Sequence, residues 1–339
     1  MHVRELRKSI VDIALKMEKA NLIFRTFGNI SAKIDENTFL ITPSGRNYSD
    51  MKPEDIVEVD MRSDSYTGKF KPSSEYRIHK GIYLNRPGIN FVIHTHQPYA
   101  SAISVLQKDR IDFEDDAEKN SIIISGYGLP GTHKLYKKTI KSVLQCDSNY
   151  LIMKNHGALC YGKDANEAMC NAIKLENFSF NFLKRSLGEK YINFINSIDI
   201  SPQTGRDTAE LFGVKDCYIY GIPLKFTENK DIIKTIIKPY LDDFAQIVGL
   251  KSHRYIKAES SKDIRSVFKK NKIIIIRNEG IFTCSRNCDD AISQLKALEK
   301  NILASLLSYI YGEGKPISLK NIFLMHRKYT KNYSKLNKN

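Results

Sequence analysis

Three histidines in this chain have the spacing to share one metal ion. His94 and His96 close the apolar run NFVIHTH at residues 90–96. Side chains at i and i+2 of a β-strand point to the same face, so the two imidazoles converge at a strand end. His156 stands in a tight Asn-His-Gly turn between two more apolar strand patterns. Three imidazoles, with a fourth position left to a carboxylate or water, make a tetrahedral site of the zinc type. One such histidine alone would read as an ordinary packed side chain. The doublet with a third in a turn predicts a divalent-metal site.

Upstream lie three stretches suited to an anion. KPSSEYRIHKGIYLNRPG, residues 71–88, places Ser73 and Ser74 before a helix. Free backbone N–H groups and two hydroxyls at that point suit a phosphate. Glu75 follows in the expected first turn, open to three roles: metal ligand, proton acceptor near the metal, or a carboxylate favoured by the helix dipole. FGNIS offers Gly28, Asn29 and Ser31, read as a loop after the first helix. ITPSGRNY offers Thr42, Ser44 and Gly45 directly after a strand. Each alone is ordinary turn chemistry. Together, beside a histidine triad, they suggest a phosphate cradle next to a metal.

The elements that must position these groups alternate along the first 200 residues. Apolar periodicity and turn residues predict helices over 3–20, 73–85, 98–106, 133–144 and 164–187. They predict strands over 39–43, 56–60, 90–94, 121–125, 150–154 and 158–162. This is an α/β layered domain, expected to span 1–200. The polar, Pro- and Gly-containing stretch 200–216 reads as a boundary, with a second domain over 217–325. In that part, residues 271–304 echo residues 148–181 at a constant offset of 123: Asn155 with Asn278, Gly157 with Gly280, Ala168 with Ala291, Leu175 with Leu298, Glu176 with Glu299. The pattern suggests a duplicated domain. It is degenerate in its chemistry, because Glu279 stands where the first copy has His156, and no HxH occurs between 217 and 277.

The composition fits this picture. The 339 residues are 42% hydrophobic and 27% charged, a globular balance. No apolar run reaches the roughly 18 residues of a membrane span, and the N-terminus has helical periodicity rather than the form of a signal peptide. Six scattered cysteines without a CxxC pair read as reduced thiols of a cytoplasmic protein. Of the formal charge of +15, +11 falls from Arg206 onward. Such a surplus can draw anionic substrates. The absence of an aromatic-interleaved basic motif argues against nucleic acid as the partner.

In order, G-N-[IV]-S, I-T-P-[ST]-G, S-S-E, R-P-x(4)-V-x-H-x-H and N/H-H-G resemble the class II aldolase/adducin family. The resemblance covers about residues 1–195 and extends weakly to the C-terminal part. It implies a central, mostly antiparallel sheet covered by helices. It implies that His94, His96 and His156 hold a divalent metal, usually zinc. Asn29, Ser44, Gly45, Ser73 and Ser74 would bind the phosphate of a small sugar phosphate, and Glu75 would be the acid/base residue. Family aldolases are oligomers with sites near subunit interfaces, so a homo-oligomer is implied too. The aldolases carry Glu at position 75 and the ribulose-phosphate epimerases Asp, which tilts the expectation to a lyase cleaving a ketose phosphate to dihydroxyacetone phosphate and an aldehyde. Related dehydratases and decarboxylases also carry Glu and remain alternatives, as does a non-enzymatic adducin-like module. The family tyrosine that protonates the leaving aldehyde has no counterpart in KDRIDFEDDAEKNSIIIS, residues 108–125.

Overall fold

The computed structural model describes residues 2–115, 118–188, 218–223, 238–250, 255–256, 267, 271–276, 280–285 and 287–332. They fall into two compact units, one ending at Phe182 and the other beginning at Leu183. The stretch 200–216, expected as a boundary, lies outside the described residues.

The first unit is built on one nine-stranded sheet. Its strands are β1 (Asn29–Lys33), β2 (Thr38–Ile41), β3 (Val57–Asp60), β4 (Tyr66–Thr67), β5 (Phe91–Thr95), β6 (Arg110–Asp115), β7 (Glu118–Ser125), β8 (Tyr150–Met153) and β9 (Gly157–Gly162). Their spatial order is β4-β3-β2-β1-β5-β9-β8-β7-β6. Every described pairing is antiparallel except β7 with β8. The mostly antiparallel sheet implied by the sequence is therefore present.

Five helices accompany it: α1 (Val3–Lys19), α2 (Tyr76–Asn85), α3 (Pro98–Ile103), α4 (His133–Val143) and α5 (Ala165–Leu187). In α1 the apolar positions Leu6, Ile10, Ile13, Ala14 and Met17 recur at helical spacing, and all are buried. Ile78 and Ile82 of α2 and Leu135, Ile140 and Val143 of α4 share a core with Phe39, Val59, Val92, Leu151 and Leu159 of the sheet. The helix faces that periodicity marks as apolar are thus the ones that cover the sheet.

Two expectations need correction. The stretch FGNIS is not a loop. Asn29 begins β1, a central strand, in register with His94 of β5. A five-residue strand containing Asn, Ser and Ala lacks the β-branched run that marks a strand; pairing on both sides makes it one. Helix α2 starts at Tyr76 rather than Ser73, and Glu75 is its N-cap. The Glu75 carboxylate makes no capping bond, because it is turned toward the histidines.

The second unit holds β10 (Tyr218–Pro223), β11 (Tyr255–Ile256), β12 (Ile273–Ile276) and β13 (Gly280–Ser285), with α6 (Asp242–Ile247), α7 (Cys288–Tyr311) and α8 (Leu319–Asn332). The strand order is β10-β13-β12-β11. The outer two of its three pairings differ in sense: β10–β13 is antiparallel and β11–β12 parallel, with β12–β13 antiparallel between them. In the interior, Lys300 pairs with Asp243, and the Asn301 side chain accepts from the Tyr240 backbone at 2.8 Å while donating to Lys238 O at 2.9 Å. No described helix is long and apolar enough to cross a membrane. The five described cysteines are free thiols.

Candidate metal centre and active site

Three neighbouring elements deliver the imidazoles. His94 is the fourth residue of β5, His96 follows its end, and His156 sits in the turn between β8 and β9. Strand β9 lies directly beside β5, with Leu159 opposite His94, so the turn of one hairpin arrives over the end of its neighbour. The approach is close. A Cβ at Gly157 would overlap the Thr95 carbonyl oxygen and come within 3.2 Å of His94 Cε1. Asn155, before the histidine, takes φ 57°, a left-handed conformation that asparagine tolerates better than most residues. Gly157→Ala is therefore expected to push the hairpin off β5 and cost about 1–3 kcal/mol of stability, together with a weakened metal site. Thermal unfolding with and without added metal would measure both effects.

The loop after His96 is anchored from α5. Gln97 donates to Ala172 O at 3.2 Å, and the Glu176 carboxylate accepts from the backbones of Tyr99 and Ala100 at 2.7 and 3.0 Å. A carboxylate there also complements the start of α3. Gly28 contributes close approach on the other side: at φ 102°, a Cβ would meet His94 O at 2.7 Å.

The three rings form a nearly equilateral triangle, with centroids 4.8, 4.9 and 4.9 Å apart. One nitrogen from each lies within 4.8 Å of the others, and all three residues are buried. His94 Nδ1 donates to Ala158 O at 2.9 Å, which leaves Nε2 as its ligand atom. That Nε2 lies 3.1 Å from His156 Nε2. Two nitrogens bound to one tetrahedral cation at about 2.0–2.1 Å stand about 3.3 Å apart. The donor set and its spacing fit a divalent metal.

Glu75 closes the triangle. Its Oε2 is 3.4 Å from His94 Nε2 and its Oε1 is 3.3 Å from His156 Nε2. Asn29 Nδ2 donates to Oε2 at 3.2 Å. Burial by itself would raise the Glu75 pKa, but the neighbouring charge of His94 and His156 and the hydrogen bonds from His156 and Asn29 outweigh it. The carboxyl is held well below its usual range. At neutral pH this is a carboxylate beside three imidazoles.

The two serine-bearing loops run side by side. Ser44 N donates to Lys71 O at 3.0 Å and Ser73 N to Thr42 O at 3.1 Å, and Pro43 bridges to Pro72. Ser44 and Gly45 are thus brought next to Ser73 and Ser74. Ser73 Oγ also accepts from the Glu75 backbone N–H at 3.3 Å, which ties this loop to the residue that bears the carboxylate.

Behind Glu75, sequence reading missed two groups. His79 Nε2 and Asn29 Oδ1 are 2.5 Å apart; Ser31 Oγ lies 2.6 Å from both His79 Nδ1 and the Tyr83 hydroxyl. Part of the signal was present, since His79 and Tyr83 lie four residues apart on one face of α2. On the acidic stretch after the HxH helix, Asp112 is exposed and paired with Arg110 at 2.7 Å. The side chains of residues 113–120 lie outside the described residues.

The first unit is similar in sequence to known proteins. Residues 8–179 match the family model described as Class II Aldolase and Adducin N-terminal domain. An L-fuculose phosphate aldolase of Haemophilus influenzae is 31% identical over 192 residues, 54% of this chain and 85% of that relative. A 5-methylthioribulose-1-phosphate/5-deoxyribulose-1-phosphate aldolase of Rhodospirillum rubrum is 30% identical over 177 residues, 51% of this chain and 78% of the relative. An L-ribulose-5-phosphate 4-epimerase of Salmonella typhi is 29% identical over 188 residues, 51% and 82% of the two chains.

Proposed function

We propose, for a chain that belongs to the class II aldolase and adducin N-terminal domain family, that it is a metal-dependent lyase acting on a phosphorylated ketose. The observation that carries this reading is the buried triangle of His94, His96 and His156 closed by the Glu75 carboxylate. An adducin-like scaffold has no use for three converging imidazoles around a buried carboxylate whose desolvation is offset by His94, His156 and Asn29.

In this reading His94, His96 and His156 hold zinc, which supplies a Lewis acid for the negative charge that builds on the ketose oxygens during cleavage. The residues of the chain do the rest. Ser44, Gly45, Ser73 and Ser74 bind the phosphate together with Asn29, whose amide has a second N–H besides the one given to Glu75. Glu75 handles the proton at the carbon next to the carbonyl. In the condensing direction its carboxylate removes that proton from dihydroxyacetone phosphate, the carbanion adds to the aldehyde carbon, and the aldehyde oxygen becomes a hydroxyl with a proton from solvent. In cleavage the C4 hydroxyl gives its proton to solvent as the C3–C4 bond breaks, and the Glu75 carboxyl returns a proton to C3. Glu rather than Asp at position 75 supports the lyase over the epimerase reaction.

The second unit fits a degenerate copy of this fold. Ile273 pairs with Thr283 and Ile276 with Gly280, as Tyr150 pairs with Cys160 and Met153 with Gly157, at the offset of 123. Its order β10-β13-β12-β11 repeats β5-β9-β8-β7 with the same senses. In that register Gly221 and Pro223 take the places of His94 and His96. Asn278 and Glu279 lie outside the described residues. We assign this unit no metal.

The test is a retro-aldol assay. Zinc-loaded protein, given ketose 1-phosphates that differ at C3 and C4, is expected to release dihydroxyacetone phosphate from at least one, and chelation to stop the release. No release from protein shown to hold metal would transfer the same site to an epimerase, dehydratase or decarboxylase.

A further inference from the structure

We infer that His79 is a positioning residue, which through Asn29 sets the direction and placement of the proton-handling carboxylate of Glu75. The inference rests on the role proposed above for Glu75.

The argument runs through donors and acceptors. A carboxylate only accepts, so the Asn29 atom 3.2 Å from Glu75 Oε2 is the amide nitrogen. Asn29 Oδ1 therefore faces His79 Nε2. A carbonyl oxygen also only accepts, so His79 carries its proton on Nε2. Its ring is completely buried, and desolvation, with the charge of His94, lowers its pKa to about 3 against a smaller opposing pull from Glu75. The ring is neutral, and Nδ1 is left with a lone pair. Ser31 must then donate to Nδ1, and its oxygen accepts from the Tyr83 hydroxyl. The Tyr83 oxygen in turn has the Val92 backbone as a hydrogen-bond partner.

All the donors thus point one way: from Tyr83 to Ser31, to His79, to Asn29, to Glu75. Each of these residues is at most 7% exposed. In such surroundings a fully satisfied chain specifies one arrangement, whereas a broken one leaves a costly orphan. If the Asn29 amide turned over, its carbonyl would face the carboxylate and its NH₂ would face an N–H. His79 forbids that turn. An interface between β1 and α2 that served stability alone would be filled as well by apolar side chains.

The experiment follows exchange of solvent deuterium into dihydroxyacetone phosphate by zinc-loaded protein, comparing wild type with His79→Phe and His79→Gln. His79→Phe is expected to keep its metal and to lower kcat for exchange about 10–100-fold, the usual effect of losing a partner one shell out, with KM changed less than about threefold. His79→Gln can still donate to Asn29 Oδ1 and is expected to recover most of the rate. Equal kcat in wild type and a folded, metal-loaded His79→Phe, or a rise in KM alone, would overturn the inference. Ring ¹⁵N shifts of His79 in wild type provide a readout that needs neither turnover nor a variant. A neutral ring protonated on Nε2 is expected at pH 7; protonation on Nδ1, or an imidazolium, would overturn the chain of donors. If wild type itself exchanges no deuterium, the role given to Glu75 fails, and the ¹⁵N result still decides the relay.

Discussion

His156→Ala is expected to yield folded protein that no longer holds a stoichiometric metal and has lost at least about a thousandfold in turnover. The fold should survive, because the turn is shaped by Asn155 at φ 57° and by the close seat of Gly157 against β5, not by the imidazole. The metal should not. Removal of His156 takes away one corner of the triangle and the nitrogen 3.1 Å from His94 Nε2, leaving two imidazoles and a carboxylate. A Lewis acid in such a reaction contributes several kcal/mol, and each 1.4 kcal/mol is about tenfold in rate, which sets the scale. Elemental analysis measures the first outcome and circular dichroism the integrity of the fold. Wild type is expected to hold one equivalent per chain, because the second unit has Gly221 and Pro223 in the register of the HxH pair. One tightly held equivalent in His156→Ala would show that the metal does not need the histidine triad. Two equivalents in wild type would overturn the view of the second unit as metal-free.

The parts of this site that the sequence made legible are those governed by short-range rules. His94 and His96 share a face because a strand has a period of two, and an Asn-His-Gly tripeptide between apolar runs announces a hairpin turn. The long helix after β9 and the hairpin before it could be read at two places in the chain, at one offset. What was not legible depends on pairing across the sheet. Asn29 looked like a loop residue because its neighbours have weak strand propensity; only its position between β2 and β5 shows it to be part of a central strand. The start of α2 was placed three residues early, since Ser73 and Ser74 look like caps and Glu75 like a first-turn carboxylate. Tertiary contacts decide otherwise, since Glu75 lies outside α2 with its carboxylate against His94 and His156. His79 and Tyr83 share a helix face at a spacing of four, but that spacing alone does not tell a hydrogen-bonded chain from ordinary packing. Their partner Ser31 lies about fifty residues away in sequence, on a different element.

Glu75→Gln separates the proton chemistry from the metal, and its expected outcome is the opposite pattern to His156→Ala. The amide has nearly the shape of the carboxylate, and its oxygen can still accept from Asn29 Nδ2, so the packing behind it should hold. The three imidazoles are untouched, and metal content should remain near one per chain. The amide cannot take up or return a proton near neutral pH. Exchange of the carbon-bound proton and overall cleavage should both fall by about 10²–10⁴-fold, the usual contribution of a positioned general acid or base. Binding of dihydroxyacetone phosphate should change only a few-fold, since the phosphate is assigned to Asn29, Ser44, Gly45, Ser73 and Ser74. Direct measurement of metal content, of ligand affinity by calorimetry and of deuterium incorporation by NMR keeps the three effects apart. Metal loss with the rate would recast Glu75 as an essential fourth ligand. Full activity would remove the carboxylate from the chemistry and leave its burial between His94 and His156 without a catalytic reason. A collapse of exchange with metal and affinity intact is the pattern that a base, held well below the usual carboxylate range by its neighbours, should give.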